Sequence, residues 1–573
     1  MTASDAISLQ LSWSRLVNIA DQMAATLVKT AFSLVVRDNH DYACGLYDAT
    51  GRMLVQSNQC TPGQIGSTPT VVKAMLETYP PETLEEGDVL IANDPWIGAG
   101  HAPDVFLAQP IFVGGQLVGF ACNCAHHVDM GGRLAGVVAR YVFEDGLISP
   151  VWTLVRAGET NDELMRLIRR NVREADKVVG DLRAQMASLH VGVRGVIGML
   201  KEFGLAGLDG LTDAIASRSE GALRQAIAGL PDGTAEHTVR HEARGPDGER
   251  LTLKLALTIE GDEARLDFSG TAGQIERPIN AVLNITRAYV VFPFLAALTP
   301  TTPMNEGCFR PLKLTVPEGT VLNSTFPAPG MYRSLLSYYT VELVFGALAK
   351  IAPDKVMAPS GTYPLWIEKF AGSFDDGTPF LSHYNAQGGQ GAFAGRDGNS
   401  AVVFPGNVAN SSVELFETDT PLVVEEKRFR VDSGGPGEHR GGLGQVTRIR
   451  SRAKAPVTAA LSGGRFDAGP VGLSGGGSGG VGIIATADAS GEERDPFPQP
   501  TRTVLRQGER AVLRQPGGGG FGDPLSRDPF AVLADVKDGF VSVSGAEQDY
   551  GVVLDASGTA IDAAATQAAR ARR

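Results

Sequence analysis

A multi-domain α+β fold with mixed sheets, long helices in the N-terminal half and a β-rich C-terminal unit is the class this sequence predicts, on three observations. The 573 residues exceed what one core organises, at roughly 100–200 residues per domain. Two long stretches carry apolar residues at helical spacing with few breakers. The later sequence alternates apolar and polar residues at period two, among 70 glycines and 33 prolines that mark many turns. The expected domains are an α+β unit over 1–235, a second over 236–420, a β-rich unit over 421–525, and a short helix with a tail over 526–573.

Taken in order, LQLSWSRLVNIADQMAATLVKTAFS from Leu9 to Ser33 predicts an amphipathic helix. ACGLYDATGRMLVQ reads as two strands about a turn, and strands and turns are expected on to about residue 155. Residues 161–203 predict one or two long helices with a break at Gly180. A second β-rich unit opens near Thr238, where RLTLKLALTIEGDEARLDFSG alternates strictly, and its helices are NAVLNITRAYVVFPFLAAL and SYYTVELVFGALAKI. Beyond Pro421 the pattern is strand and turn, with a flexible loop at the GSGG of 474–480. A short helix in DPFAVLADVKDGF and a loose Ala/Arg-rich tail follow. No fixed period points to a solenoid or propeller.

A formal charge of −13 argues against nucleic acid and acidic membranes as partners, since both reward basic surfaces. No run reaches the ~20 apolar residues of a membrane span. Five cysteines and a polar MTASDAIS opening without signal-peptide character predict a reduced, cytoplasmic protein.

The chemistry gathers around VFLAQPIFVGGQLVGFACN. Gly114-Gly115 separates two apolar runs and reads as a two-residue hairpin turn, so Val113 faces Gln116. A strict ladder then sets Asp104 opposite Ala125 and His101 opposite Val128. His101, Asp104, His126, His127 and Asp129 thereby meet at one hairpin end, a competent donor set for zinc, manganese or iron. The strict ladder favours His127 beside Asp104; a bulge marked by Pro110 would change that parity. Cys122 and Cys124 share a strand face with His126, which leaves a Cys/Cys/His zinc set as the alternative. Ordinary hydrogen-bonded loop histidines are the bland reading of the same residues.

NDPWIGAGHAPD, AHHVDMGG, DLRAQMA, LDFSGT, RPINAV, PMNEGCFRPL, VDSGGPGEHRGGLG and PGGGGFGDP occur in this order along nearly the whole chain. With them the sequence resembles the hydantoinase B family, the metal-site subunits of ATP-dependent hydantoinases, 5-oxoprolinases, lactamases and acetone-type carboxylases. The resemblance implies a divalent metal (zinc, manganese or iron) on His101, Asp104 and His126, with His127 as an outer or substrate contact. Asp129 would orient a ligating imidazole, and Asp41 of DYAC would contact substrate.

It also implies a hydantoinase A-type partner subunit that binds ATP and magnesium and phosphorylates a carbonyl oxygen, in a heterotetramer or larger assembly. Consistently, the chain has no G-x-x-x-x-G-K-[ST] loop. Its one G-x-G-x-x-G match, at Gly517, Gly519 and Gly522, precedes DPLSRDP instead of a helix and reads as a turn. The expected function is ATP-driven opening of a hydantoin, 5-oxoproline or lactam ring. The alternatives are a ketone carboxylase subunit and a non-catalytic assembly subunit. Two departures bear on the substrate: Gln64 stands in PGQIGSTP where relatives often read PVHLGSMP, and GMYRSLLS follows Pro329 where relatives often read GGNVETSQ.

Overall fold

The computed structural model describes residues 3–133 and 139–572. The chain folds as two compact units. The first comprises Met1–Val239, Gly245–Val344 and Gly406–Ala409, and the second Arg240–Arg244, Phe345–Pro405 and Asn410–Arg573. The stretch 236–420 contributes residues to both units.

The first unit opens with α1 (Ala3–Thr30), a short α2 (Leu34–Arg37), β1 (Tyr42–Asp48), β2 (Met53–Gln56) and α3 (Pro62–Thr78). There follow β3 (Val89–Ala92), β4 (Asp104–Val113), β5 (Gln116–His126), β6 (Trp152–Arg156) and β7 (Glu159–Thr160). These strands make a seven-stranded sheet in the order β2-β1-β5-β4-β3-β6-β7. α4 (Asp162–Asn171), α5 (Ala175–Phe203) and α6 (Asp209–Ala228) come next. The break between α4 and α5 falls at 172–174, not at Gly180. Gly180 lies inside α5, where a Cβ would collide with the Phe32 ring, so the glycine serves close packing and not an interruption. α1 buries Leu16, Ile19, Met23 and Leu27, the apolar stripe its spacing predicts. Gly192 of α5 lets that helix approach Met23 of α1 and Ala121 of β5 together.

α3 is a 17-residue helix in a stretch the sequence reads as strands and turns. Pro62, Gly63, Gly66 and Pro69 look like breakers there. Pro62 occupies the first helical turn, where a missing N–H costs nothing. The glycines are contact points: a Cβ on Gly66 would lie 2.5 Å from Ala288 Cβ, and one on Gly63 would lie 2.6 Å from Ile285 Cδ1. Tertiary packing overrides the local signal.

A four-stranded sheet, β11-β10-β9-β8, is built from β8 (Gly233–Arg244), β9 (Arg250–Glu260), β10 (Glu263–Asp267) and β11 (Leu312–Thr315). β9 buries every second residue, as its alternation predicts. α7 (Leu283–Leu298) and α9 (Tyr339–Leu348) are the two helices expected around it, and a short α8 (Ser334–Ser337) precedes α9.

The second unit contains β12 (Ile367–Ser373), β13 (Pro379–Asn385), α10 (Val413–Asp419), β14 (Leu422–Phe429), β15 (Gln445–Ser451) and β16 (Val457–Leu461). It continues with β17 (Ile483–Ala487), β18 (Thr501–Leu505) and β19 (Arg510–Arg514). The two sheets, β13-β12-β16-β18 and β14-β15-β19-β17, share an apolar cluster that includes Trp366, Phe370, Phe416, Ile449 and Leu513.

The run Gly517 to Gly520 is not a turn. It is buried and woven among other glycine segments. Gly435 N donates to Gly518 O (2.8 Å), Gly518 N to Gly442 O (2.9 Å) and Gly520 N to Gly477 O (3.0 Å). A Cβ at Gly389, Gly391, Gly442 or Gly518 would collide with a carbonyl oxygen of a neighbouring segment. The 474–480 segment joins this weave through Gly477 N to Pro436 O and Gly480 N to Ser433 O, which corrects the expectation of a flexible loop. The C-terminal tail is likewise ordered. After α11 (Pro529–Lys537) and α12 (Val543–Tyr550), α13 (Ala563–Ala571) starts on an Asp562 cap, and Arg570 donates to Tyr550 O and Arg527 O.

Among the described residues, no helix is long and apolar enough to cross a membrane.

Candidate metal centre

Gly114 (φ 58°) and Gly115 (φ 79°) are both left-handed, as the tight hairpin turn requires. Val113 pairs with Gln116 as expected, but the ladder then slips: Phe112 pairs with Leu117 and Ile111 with Gly119. Val118 is an extra residue on β5, a bulge. Every later pairing moves by one, so Asp104 stands opposite His126 and not Ala125. The bulge sits close to Pro110 but on the facing strand. On the other side of β5, Tyr42 of β1 pairs with Ala125, and His126 N donates to Asp41 O at 3.0 Å. Asp41 is thus carried to the same sheet end.

Three side chains converge there. Asp104 Oδ2 lies 3.0 Å from His101 Nε2, and Asp104 Oδ1 lies 3.0 Å from His126 Nδ1. One donor atom from each of the three falls within 4.8 Å of the others, and all three residues are buried. His101 Nε2 meets Asp104 Oδ2 at 3.0 Å without the alignment of a good hydrogen bond. Two imidazoles and one carboxylate, buried and converging in this way, fit a divalent cation.

The electrostatics suit ligation. Burial lowers the His101 pKa to about 4, assisted by the Arg333 guanidinium, so the ring is neutral at neutral pH. Burial opposes ionisation of Asp104, but His101 and Arg333 outweigh it and hold the carboxyl well below its usual range. Asp41 is pushed up to about 6, chiefly by burial, with His126 pulling the other way.

Two further side chains complete the centre. Gln64, at the start of α3, donates Nε2 to Asp41 Oδ1 (2.9 Å) and Asp104 Oδ1 (3.1 Å), so one amide spans both carboxylates. Arg333 comes from the departing 330–337 segment. Its Nη2 donates to Asp104 Oδ2 at 2.6 Å, Nη1 lies 3.0 Å from His101 Nδ1, and Nε donates to Ala99 O. Gly100 (φ 91°) lets it through, because a Cβ there would lie 2.7 Å from Arg333 Cδ. Asp145 Oδ2 fixes the segment by accepting from Gly330 N (2.9 Å) and Met331 N (3.1 Å). Sequence reasoning flags this segment as unusual but misses Arg333, whose only signal is a cation beside PAPG.

The remaining sequence candidates lie elsewhere. His127 Nε2 is 3.0 Å from Gln185 Oε1 on α5, whose Nε2 donates to Val105 O and Asn123 Oδ1. Gln185 thus presents an acceptor, and His127 spends its N–H there, tying the hairpin to α5. Asp129 engages Arg173 (Oδ1 to Nη1, 2.6 Å) and Gly131 N, so its carboxylate orders a loop and, among the described residues, orients no imidazole. Cys122 and Cys124 are buried free thiols whose pKa burial raises well above the usual value. They do not enter the cluster with His126, and the Cys/Cys/His alternative is not assembled among the described residues.

Known proteins match this chain along nearly its whole length. The hydantoinase B/oxoprolinase family profile covers residues 5–524. A putative D-/L-hydantoinase B subunit from Pseudomonas sp. (strain NS671) is 30% identical over 570 residues, covering 96% of this chain and 95% of that one. The beta subunit of the caprolactamase of Pseudomonas jessenii is 30% identical over the full length of both chains. The crystal structure of the ATP-dependent caprolactamase from Pseudomonas jessenii superposes with a TM-score of 0.89 at 28% identity, covering 100% of each chain. A nucleotide-free acetone carboxylase structure has the same fold, with a TM-score of 0.89 at 22% identity, covering 99% of this chain and 82% of that one.

Proposed function

The chain belongs to the hydantoinase B/oxoprolinase family, and on that premise we propose that it is the metal-binding subunit of an ATP-dependent cyclic amidohydrolase. Its substrate class is a hydantoin, 5-oxoproline or lactam ring. The partner is a hydantoinase A-type subunit that binds ATP and magnesium and phosphorylates the ring carbonyl oxygen, within a cytoplasmic heterotetramer or larger assembly. Relatives whose names mark each as one subunit of a larger enzyme support a partner. The observation that carries the reading is the buried, convergent trio of His101, Asp104 and His126.

A ring amide resists hydrolysis because its carbonyl is weakly electrophilic and its nitrogen leaves poorly. Phosphorylation of the oxygen removes the first obstacle. A divalent cation bound to His101, Asp104 and His126 would supply Lewis acidity, which can lower the pKa of water to about 7. Asp104 provides the single carboxylate among those ligands. Gln64 holds Asp41 and Asp104 in fixed orientation through one amide. Asp41, with 14% of its side chain exposed against 1% for Asp104, is the carboxylate open to a substrate. It would take up the protons of the attacking water and return them to the ring nitrogen as the C–N bond opens to an acyl phosphate and a free amine. A second water would then release phosphate and leave the carboxylate.

The test is to purify the chain with a hydantoinase A-type partner, measure bound metal, and screen hydantoins, 5-oxoproline, lactams and ketones for ATP consumption. Ring opening without bicarbonate, lost with the metal in Asp104→Ala and His126→Ala while the assembly persists, is the expected result. ATP use dependent on a ketone and bicarbonate would instead establish a carboxylase. Full turnover by both variants would leave the chain as an assembly subunit.

A further inference from the structure

His101 Nδ1 has two neighbours that make opposite demands on it. Met331 O, 3.1 Å away, can only accept and requires a proton on Nδ1. Arg333 Nη1, 3.0 Å away, can only donate and requires the Nδ1 lone pair. A neutral imidazole carries one N–H, so the choice at Nδ1 fixes the other nitrogen. With Met331 O as partner, Nε2 offers its lone pair beside Asp104 Oδ2. With Arg333 as partner, Nε2 holds the proton and cannot ligate a cation.

The surroundings are shaped to keep Arg333 there. Gly100 leaves room for its Cδ, Ala99 O takes its Nε, and Asp104 Oδ2 takes its Nη2 at 2.6 Å. The Arg333 side chain is buried, with 10% exposed. The segment carrying it also carries Met331 O and is pinned through Asp145. One backbone segment therefore presents both rivals for a single nitrogen. The guanidinium also neutralises Asp104, the only anionic member of the ligand trio.

We propose that Arg333 is a positioning residue that keeps the unloaded centre closed: it holds His101 in the tautomer with the proton on Nε2, and the centre takes a divalent cation only when Met331 O replaces Arg333 at Nδ1. On loading, the single ring proton passes from Nε2 to Nδ1 by exchange with solvent, Nδ1 donates to Met331 O, and Arg333 is released from the ring. This inference rests on the reading of His101, Asp104 and His126 as ligands. It adds that this chain is tuned for weak resting affinity, so that loading is coupled to withdrawal of the Arg333 side chain while Met331 O stays in place.

The experiment uses the full-length chain, freed of metal by chelation, with cobalt(II) as the probe. Binding is read from the d–d absorption bands and from competition with a chelator. Arg333→Met is expected to bind cobalt at least tenfold more tightly than the unaltered chain. Gly100→Ala, which evicts the Arg333 side chain without altering it, is expected to shift affinity in the same direction. Imidazole ¹⁵N spectra of selectively histidine-labelled protein, with His101→Gln to assign the resonance, should report the Nε2–H tautomer in the metal-free chain and Nδ1–H in Arg333→Met. A role confined to folding would leave that tautomer unchanged. Unchanged or weaker cobalt binding in whichever variants fold, or Nδ1–H already present in the unaltered metal-free chain, overturns the inference. Cobalt binding that ignores His126→Ala overturns the underlying ligand assignment instead, so the two failures are told apart.

Discussion

Asp104 and His126 face each other directly across the β4–β5 ladder, with Oδ1 3.0 Å from Nδ1. The pairing exists because Val118 is bulged out on β5, upstream of the histidine on the same strand. It separates two adjacent histidines into different tasks.

His126→Ala should abolish cobalt binding while changing the melting temperature little. His127→Ala should keep cobalt affinity within about threefold but cost about 2–3 kcal/mol, because Gln185 then keeps a buried acceptor without its donor. Cobalt titration and thermal melting of the two variants check this. Loss of binding in His127→Ala with binding retained in His126→Ala would reverse the assignment.

Gln64→Leu removes the amide that donates to both Asp41 and Asp104. Hydrogen bonds to charged groups contribute about 1.5–3 kcal/mol each, so a clear drop in melting temperature is expected in the metal-free chain. Added divalent cation should recover part of it by binding the folded state. A variant as stable as the parent without metal would mean that the amide is dispensable.

Gly195 and Gly198 lie one turn apart on α5 and should respond with opposite signs to alanine. A Cβ on Gly195 would lie 2.8 Å from Ile19 Cγ2, whereas one on Gly198 meets nothing within 4 Å. Gly195→Ala should cost about 1–3 kcal/mol through overpacking. Gly198→Ala should gain about 0.5–1 kcal/mol through helix propensity. Denaturant titration of both measures the difference, and effects of equal sign would contradict the α1–α5 packing.

Glu368 supplies a pH dependence. Burial pushes its carboxyl well above the usual 4.5, with the Ser462 N–H pulling the other way. A group raised on folding contributes stability that is complete below the unfolded value and is lost as pH rises through the folded one. Glu368→Gln escapes that loss. The two proteins should therefore melt together near pH 4, and the glutamine variant should melt higher at pH 8, by about 2 °C or more. An equal gap at both pH values would count against a raised Glu368.

What can be read from the sequence follows from how local each signal is. Gly114-Gly115 fixes a hairpin turn by itself, and that turn brings HAPD to AHHVD. The bulge at Val118 carries no sequence mark, because β5 is committed to β1 and β4 at once and its register is settled by both. α3 is hidden because Gly63 and Gly66 read as breakers until α7 lies against them, where a Cβ would meet Ile285 and Ala288. Arg333 reaches the centre from 229 residues beyond Asp104, a distance that no periodicity spans. The tail reads as loose because alanine spacing says nothing of the Arg570 anchors.

The woven glycine segments of the second unit have a consequence for kinship itself. VDSGGPGEHRGGLG and PGGGGFGDP are among the most conspicuous signatures in this chain, yet at Gly442 and Gly518 the backbone simply leaves no room for a side chain. Such letters are spelled by exclusion, and they contribute no reactive atom to the trio around Asp104. A search guided by these signatures finds relatives of the scaffold. The quieter positions Gln64 and Arg333, where an amide and a guanidinium touch the carboxylates directly, bear on this chain's own chemistry.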